Sequence, residues 1–97
     1  MKLRILTPAI EDLACGREFY EHQGDGLGDY FFESLCAEID SLLLFGGIHP
    51  LHFGFHRLIA KRFPYAVYYT ATDEEMIVYR VLDCRRNPHW TKRELKK

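Results

Sequence analysis

The chain has 97 residues and a mass of 11.5 kDa; 47% of residues are hydrophobic, 14% aromatic and 28% charged, and the formal net charge is −1. Aromatic content at this level with so small a net charge excludes intrinsic disorder, and the length fits one domain spanning residues 1–97. No apolar run approaches the roughly 20 residues of a membrane helix, and Glu11 and Asp12 follow the N-terminal apolar stretch too soon for a signal peptide, so a cytoplasmic protein with no membrane partner is expected. The cysteines, Cys15, Cys36 and Cys84, are three and form no C-x-x-C pair, which predicts neither a disulfide framework nor a zinc ribbon.

The small net charge conceals a split. Residues 1–56 hold three Lys or Arg against nine Asp or Glu, net −6, whereas residues 57–97 hold ten against five, net +5. Two faces of opposite sign suit a polyanion or a charged partner, or else two solvated faces that cancel.

In chain order, Lys2 to Leu6 reads as a strand with Leu3 and Ile5 on one face. Thr7 is placed to cap a helix with Pro8 at its first position, and Glu11 and Asp12 in its first turn complement the helix dipole. Ile10, Leu13, Ala14, Arg17 and Tyr20 carry the helical stripe to Gly24-Asp25-Gly26. A second helix is predicted from Leu27 to Phe45, with Leu27, Phe31, Leu35, Ile39 and Leu42 as its apolar ridge, ending at Gly46-Gly47. From Phe53 the period becomes two, and Phe53 to Leu58 reads as a strand. Beyond Pro64 follow strands over Tyr65–Thr70 and Met76–Leu82 with a turn at Asp73-Glu74, then a polar, basic tail from Thr91. The order β-α-α-β-β-β predicts an α+β fold with a helical hairpin packed on one face of a small antiparallel sheet.

Lys61-Arg62-Phe63-Pro64-Tyr65-Ala66-Val67-Tyr68-Tyr69, then Val81-Leu82-Asp83-Cys84-Arg85-Arg86-Asn87-Pro88 and Trp90, resemble the RelE/ParE superfamily of bacterial toxins. Thr7-Pro8-Ala9-x-x-Asp12-Leu13 and Leu27-Gly28-x-x-Phe31 resemble that superfamily's helical hairpin, so the match spans nearly the whole chain. The superfamily comprises toxins of type II toxin–antitoxin modules, some known as plasmid stabilisation proteins. The resemblance implies a small α+β toxin, without cofactor, neutralised by a cognate antitoxin.

Two branches imply different targets. The RelE-like branch cuts mRNA on the ribosome, and such chemistry needs cations to hold the scissile phosphate and groups to move protons. Arg86 falls where that branch keeps an arginine near the end of its last strand, and Arg57 and Lys61 where it keeps basic residues, so these three are the candidate catalytic residues. Yet Ala66 stands where that branch commonly has another arginine, and Lys92 lies near the place of its C-terminal tyrosine. The ribonuclease set is thus incomplete. The R-F-P-Y pattern is closer to the ParE-like branch, which blocks DNA gyrase and needs no catalytic residue. A non-toxic binding module on the same fold is the third reading.

Arg62, Arg85, His89 and Trp90 are the candidates for contact with nucleic acid or target. Adjacent Arg85 and Arg86 point to opposite sides of an extended chain, so at most one faces a given site; alternatively one contacts solvent and the other a carboxylate such as Asp83. His49, His52 and His56 form H-x2-H-x3-H, but Pro50 and Gly54 break any regular ligand face and no metal site is expected. Cys84 reads as a structural thiol. If the protein handles nucleic acid, its cations should converge on one concave side of the sheet. An acidic, amphipathic antitoxin segment is expected across the helical hairpin and a sheet edge. The oligomeric state stays open between monomer and homodimer.

Overall fold

Leu3 and Ile5 alternate with Lys2 and Arg4 to form β1 (Lys2–Ile5) in the computed structural model, which describes residues 1–96. After it come α1 (Thr7–Glu21), α2 (Leu27–Asp40), the single turn α3 (Leu42–Phe45), β2 (Leu51–His52), β3 (Phe55–Ile59), β4 (Tyr65–Ala71), β5 (Glu75–Asp83) and α4 (Pro88–Leu95). The architecture is α+β, as the residue pattern predicts. The five strands lie in the order β1-β5-β4-β3-β2. The pairs β2–β3, β3–β4 and β4–β5 are antiparallel, whereas β1 joins β5 in parallel, with the helical hairpin as crossover.

Strand alternation sorts β4 between two layers. Tyr65, Val67 and Tyr69 face α1 and α2, where they meet Leu13, Phe31, Leu35, Ile39 and Leu42 in the main core. Phe31, Leu35, Ile39 and Leu42 are at most 1% exposed, and each such side chain stabilises the fold by about 1.5–3 kcal/mol. Ala66 and Tyr68 face the other way and, with Leu82, pack under Trp90 and Leu95 of α4. A bulge at Tyr68/Tyr69 pairs Tyr68 with Arg80 but Tyr69 with Val78, leaving Tyr79 as the extra residue. Val78 and Val81, an odd number of residues apart, therefore both enter the main core, and Arg80 stands on the α4 side.

The helices of the hairpin approach closely because two glycines permit it. A Cβ at Gly28 would sit 2.6 Å from the Arg17 carbonyl oxygen, and one at Gly16 would strike the Phe31 ring. The Glu21 carboxylate closes the connection by accepting from the Gly26 and Gly28 amides at 3.2 and 3.0 Å.

Several boundaries differ from expectation. Thr7 is already helical and Leu6 occupies the N-cap, so Pro8 falls at the second helical position. The cause is that the Leu6 amide still pairs with the Val78 carbonyl, so strand passes into helix with no residue to spare for a side-chain cap. Glu11 and Asp12 lie beyond the first turn. The helix predicted through Phe45 breaks at Ser41, whose hydroxyl bonds back to the Glu38 carbonyl at 2.6 Å. Phe53 is a turn residue rather than part of a strand: Phe53 and Gly54 have φ of 56° and 86° and form a two-residue hairpin loop between β2 and β3. The basic tail is helical from Pro88, with the Asn87 carboxamide accepting from the His89 amide at 2.7 Å.

Candidate functional site

Antiparallel pairing brings the end of β3, the start of β4 and the end of β5 to one rim of the sheet; Tyr65 opposes Asp83, and the Cys84 amide donates to the Pro64 carbonyl at 2.8 Å. Lys61, Arg62, Arg85 and Arg86 all leave the sheet at this rim, in the loops that follow β3 and β5. They do not share one pocket.

Arg85 turns back on Asp83, donating through Nε at 3.0 Å and Nη2 at 2.8 Å, while its amide bonds the same carboxylate at 2.8 Å. These bonds hold the Asp83 carboxyl below its usual range, with burial opposing them. Arg85 is the arginine spent on a carboxylate. Arg86 projects the other way and lays its guanidinium 4.1 Å from the centroid of the Trp90 ring. It lines a cleft of about 350 Å³ between α1, the end of β5 and α4, together with Cys15, Phe19, Tyr65 and Trp90. The Tyr65 hydroxyl is pushed up to about 12, first by burial and then by Asp83, so at neutral pH it is a hydrogen-bonding group rather than a base. His89 is exposed on the first turn of α4.

Behind this cleft lies a charge network that sequence reasoning missed. Arg80 donates through Nε to Asp12 Oδ2 at 2.7 Å and through Nη2 to Asp12 Oδ1 at 2.8 Å. It also reaches the Glu94 carbonyl at 2.9 Å and the Glu94 carboxylate at 3.2 Å. The Val81 amide, on the part of the β5 edge that β1 does not reach, donates to Asp12 Oδ2 at 2.9 Å. Arg80 thus ties α1, β5 and α4 together. The Asp12–Arg80 pair spans 68 residues, a separation at which no local pattern signals a contact.

Arg57 occupies a second place. It opposes Tyr68 on β3, on the α4 side of the sheet, and its Nε is buried with no hydrogen-bond partner among the described residues. Burial raises the Tyr68 hydroxyl, and the neighbouring Arg57 partly offsets that. Cys84 is exposed, not the buried or half-buried structural thiol expected from sequence, although partial desolvation raises its thiol against the pull of Arg57.

Lys61 and Arg62 form the third place. The Lys61 amide donates to Glu38 Oε2 at 2.7 Å, fixing the loop to α2, and both side chains are exposed beside a hollow lined by Glu38 and Ser41. The predicted cations therefore do not converge: Lys61, Arg62 and Arg86 leave the sheet at one rim but in separate places, and Arg57 sits within β3 beside Tyr68.

Two of the three histidines, His49 and His56, serve the fold. His49 Nδ1 pairs with the Tyr69 hydroxyl, and His56 bonds the His49 carbonyl at 2.7 Å while stacking on the Tyr69 ring. Burial, and then His56, lower the His49 pKa. Among the described residues no group of three or more His, Cys, Asp or Glu is arranged to hold a metal. No helix among them is long and apolar enough to cross a membrane.

The outer face of the hairpin is acidic. Residues 7–40 carry Arg17 as their one basic side chain against nine acidic ones. Between α1 and α2 runs a groove of about 590 Å³ with Ile10, Ala14 and Phe32 at its floor and Glu18, Glu21 and an Arg17–Asp29 pair at its rim. Ile10, Ala14 and Arg17, assigned by periodicity to the core stripe, line this groove, and the buried stripe is Ala9, Leu13, Gly16 and Tyr20.

The sequence matches no protein-family model and no curated protein. Its fold is shared with a solved chain described as the chromosomal ParDE TA (toxin–antitoxin) system from P. aeruginosa, at a TM-score of 0.73 and 17% identity, covering 84% of this chain and 92% of that one. The architecture that the RelE/ParE resemblance implies is thus the one the chain adopts.

Proposed function

We propose that this chain is the toxin of a type II toxin–antitoxin module, ParE-like in action: it holds an essential target, DNA gyrase, without bond-breaking chemistry, and a cognate antitoxin neutralises it in the cytoplasm. The observation that carries this reading is the fold held in common with the ParDE chain over 84% of the sequence, joined to sequence motifs that resemble the same superfamily. The site supports a binding role. The Tyr65, Tyr68 and Cys84 groups are all raised from their ordinary values and supply no base at neutral pH, and Arg80 and Arg85 are occupied by carboxylates.

The pair formed by exposed Arg86 and half-buried Trp90 is the target-contacting element in this account. A guanidinium over an indole offers a flat, cationic surface, and arginine and tryptophan are the residue types that dominate binding energy at interfaces. The antitoxin's acidic segment finds its complement at the rim carrying Lys61, Arg62 and Arg86. It does not find it on the hairpin groove, whose own acidic rim would repel it, a revision of the docking surface expected from sequence.

The RelE-like reading draws on Arg57, whose partly exposed side chain stands beside Tyr68 on the α4 side of the sheet. A supercoiling assay with purified gyrase, run beside mRNA cleavage mapping after induction, separates the two. The expected result is inhibited supercoiling, relieved by antitoxin, with mRNA intact. Unimpeded gyrase with new mRNA ends would replace the ParE-like reading by the ribonuclease one.

A further inference from the structure

Residues 41–56 contain no Asp, Glu, Lys or Arg, in a chain in which 28% of residues are charged. Within this stretch Leu43, Leu44, Phe45, Ile48 and Leu51 are between 52% and 82% exposed. They stand on one side of the sheet. Leu51 opposes His56 in the β2–β3 register, and the His56 ring stacks on Tyr69, which faces the helices, so Leu51 points to the same side as α3. The segment is also fixed. The Gly47 amide donates to the Tyr69 hydroxyl at 2.9 Å, His49 pairs with that hydroxyl, and His56 bonds the His49 carbonyl. The apolar side chains are therefore presented outward by an ordered scaffold beside β2, the outermost strand on that side of the sheet.

We propose that this surface is the contact between two copies of the chain, which associate about a two-fold axis beside β2 and α3. Charge selects the occupant. The hairpin, with nine acidic residues against one basic, and the C-terminal segment, net +5, each repel their own copy, whereas the 41–56 surface meets itself without like-charge repulsion. A charged partner gains nothing there by electrostatic steering. The five side chains expose roughly 600 Å² of apolar surface, taking about 190 Å² for a large side chain, which approaches the ~800 Å² that each partner contributes to a standard interface. A chain of this length buries only about 60–65% of its unfolded surface, so covering this patch adds materially to its stability.

Sedimentation of the purified chain over about 1 to 200 µM tests the proposal, because the dimer fraction must rise with concentration. The expected result is a reversible monomer–dimer equilibrium, unchanged or tightened between about 50 mM and 1 M salt, since no charge pair holds it. Leu44→Asp and Ile48→Asp should each weaken dimerisation at least tenfold with unaltered circular dichroism, Leu44 being the most exposed of the five at 82%. A wild-type chain that stays monomeric throughout overturns the proposal, including the case in which Leu44→Asp instead loses the antitoxin. A dimer equally tight in both variants, or one dissolved by salt, overturns it too, because the contact then lies elsewhere.

Discussion

Replacing Asp12 by alanine removes the acceptor of three bonds at once: two from Arg80 and one from the Val81 amide. The Asp12 and Arg80 side chains are only 15% and 14% exposed, so water replaces the carboxylate incompletely. A bond to a charged group contributes about 1.5–3 kcal/mol, and breaking a fully buried pair costs about 3–5 kcal/mol. Arg80 keeps Glu94 as a partner, which limits the damage, and the expected destabilisation is about 2–3 kcal/mol. For a domain of this size that lowers Tm by roughly 10–20 °C. Asp12→Asn keeps an acceptor for the Val81 amide and should lose about half as much. In a thermal or urea melt, the double variant Asp12→Ala with Arg80→Met should be less destabilised than the two single changes added together, by at least about 1 kcal/mol. Strict additivity, or an Asp12→Ala melt within about 2 °C of the wild type, would refute the claim that this pair joins α1 to β5.

Arg86→Ala should abolish toxicity while costing no more than the about 0.5–1 kcal/mol of an exposed cation–π contact; a fully toxic variant removes Arg86 from the target surface. Gly28→Ala should destabilise by about 1–3 kcal/mol, because its Cβ meets backbone 2.6 Å away and the helices must part; an unchanged urea midpoint would contradict that close approach. His49 has its pKa lowered in the fold, chiefly by burial and then by His56, with Glu38 opposing, so the unfolded chain binds the extra proton first. Stability should accordingly fall as pH drops below about 6.5, and His49→Gln should flatten that dependence; an identical pH profile in the variant would count against it.

The fold class was legible because its signals are local. The runs of β-branched and aromatic residues in Tyr65–Thr70 and Met76–Leu82, the ridge Phe31, Leu35 and Ile39, and the Gly24–Gly26 break each act over a few residues. What escaped depends on distant partners or atypical local chemistry. The N-cap at Thr7 failed because Leu6 is held by Val78, and Asp12 read as a dipole partner when it belongs to Arg80. The Phe53-Gly54 turn lacks the Asn or Asp that usually marks a two-residue loop. The parallel β1–β5 pairing has no signature in either strand alone. At the site, adjacency set Arg85 and Arg86 on opposite sides and offered Asp83 as a carboxylate for one of them, but that Arg85 takes it and Arg86 meets Trp90 required the turn into α4. The role of Arg57 beside Tyr68 emerges only from cross-strand register.

The central claim, that this chain is a toxin held in check by an antitoxin, is tested most directly by inducing its expression and following growth with and without the neighbouring short reading frame. The account predicts growth arrest from the wild-type chain alone, rescue when the neighbour is co-expressed, and co-purification of the two products. Unimpaired growth at high yield of folded protein, in a host close to the source, would contradict it and leave a non-toxic binding module on the same fold.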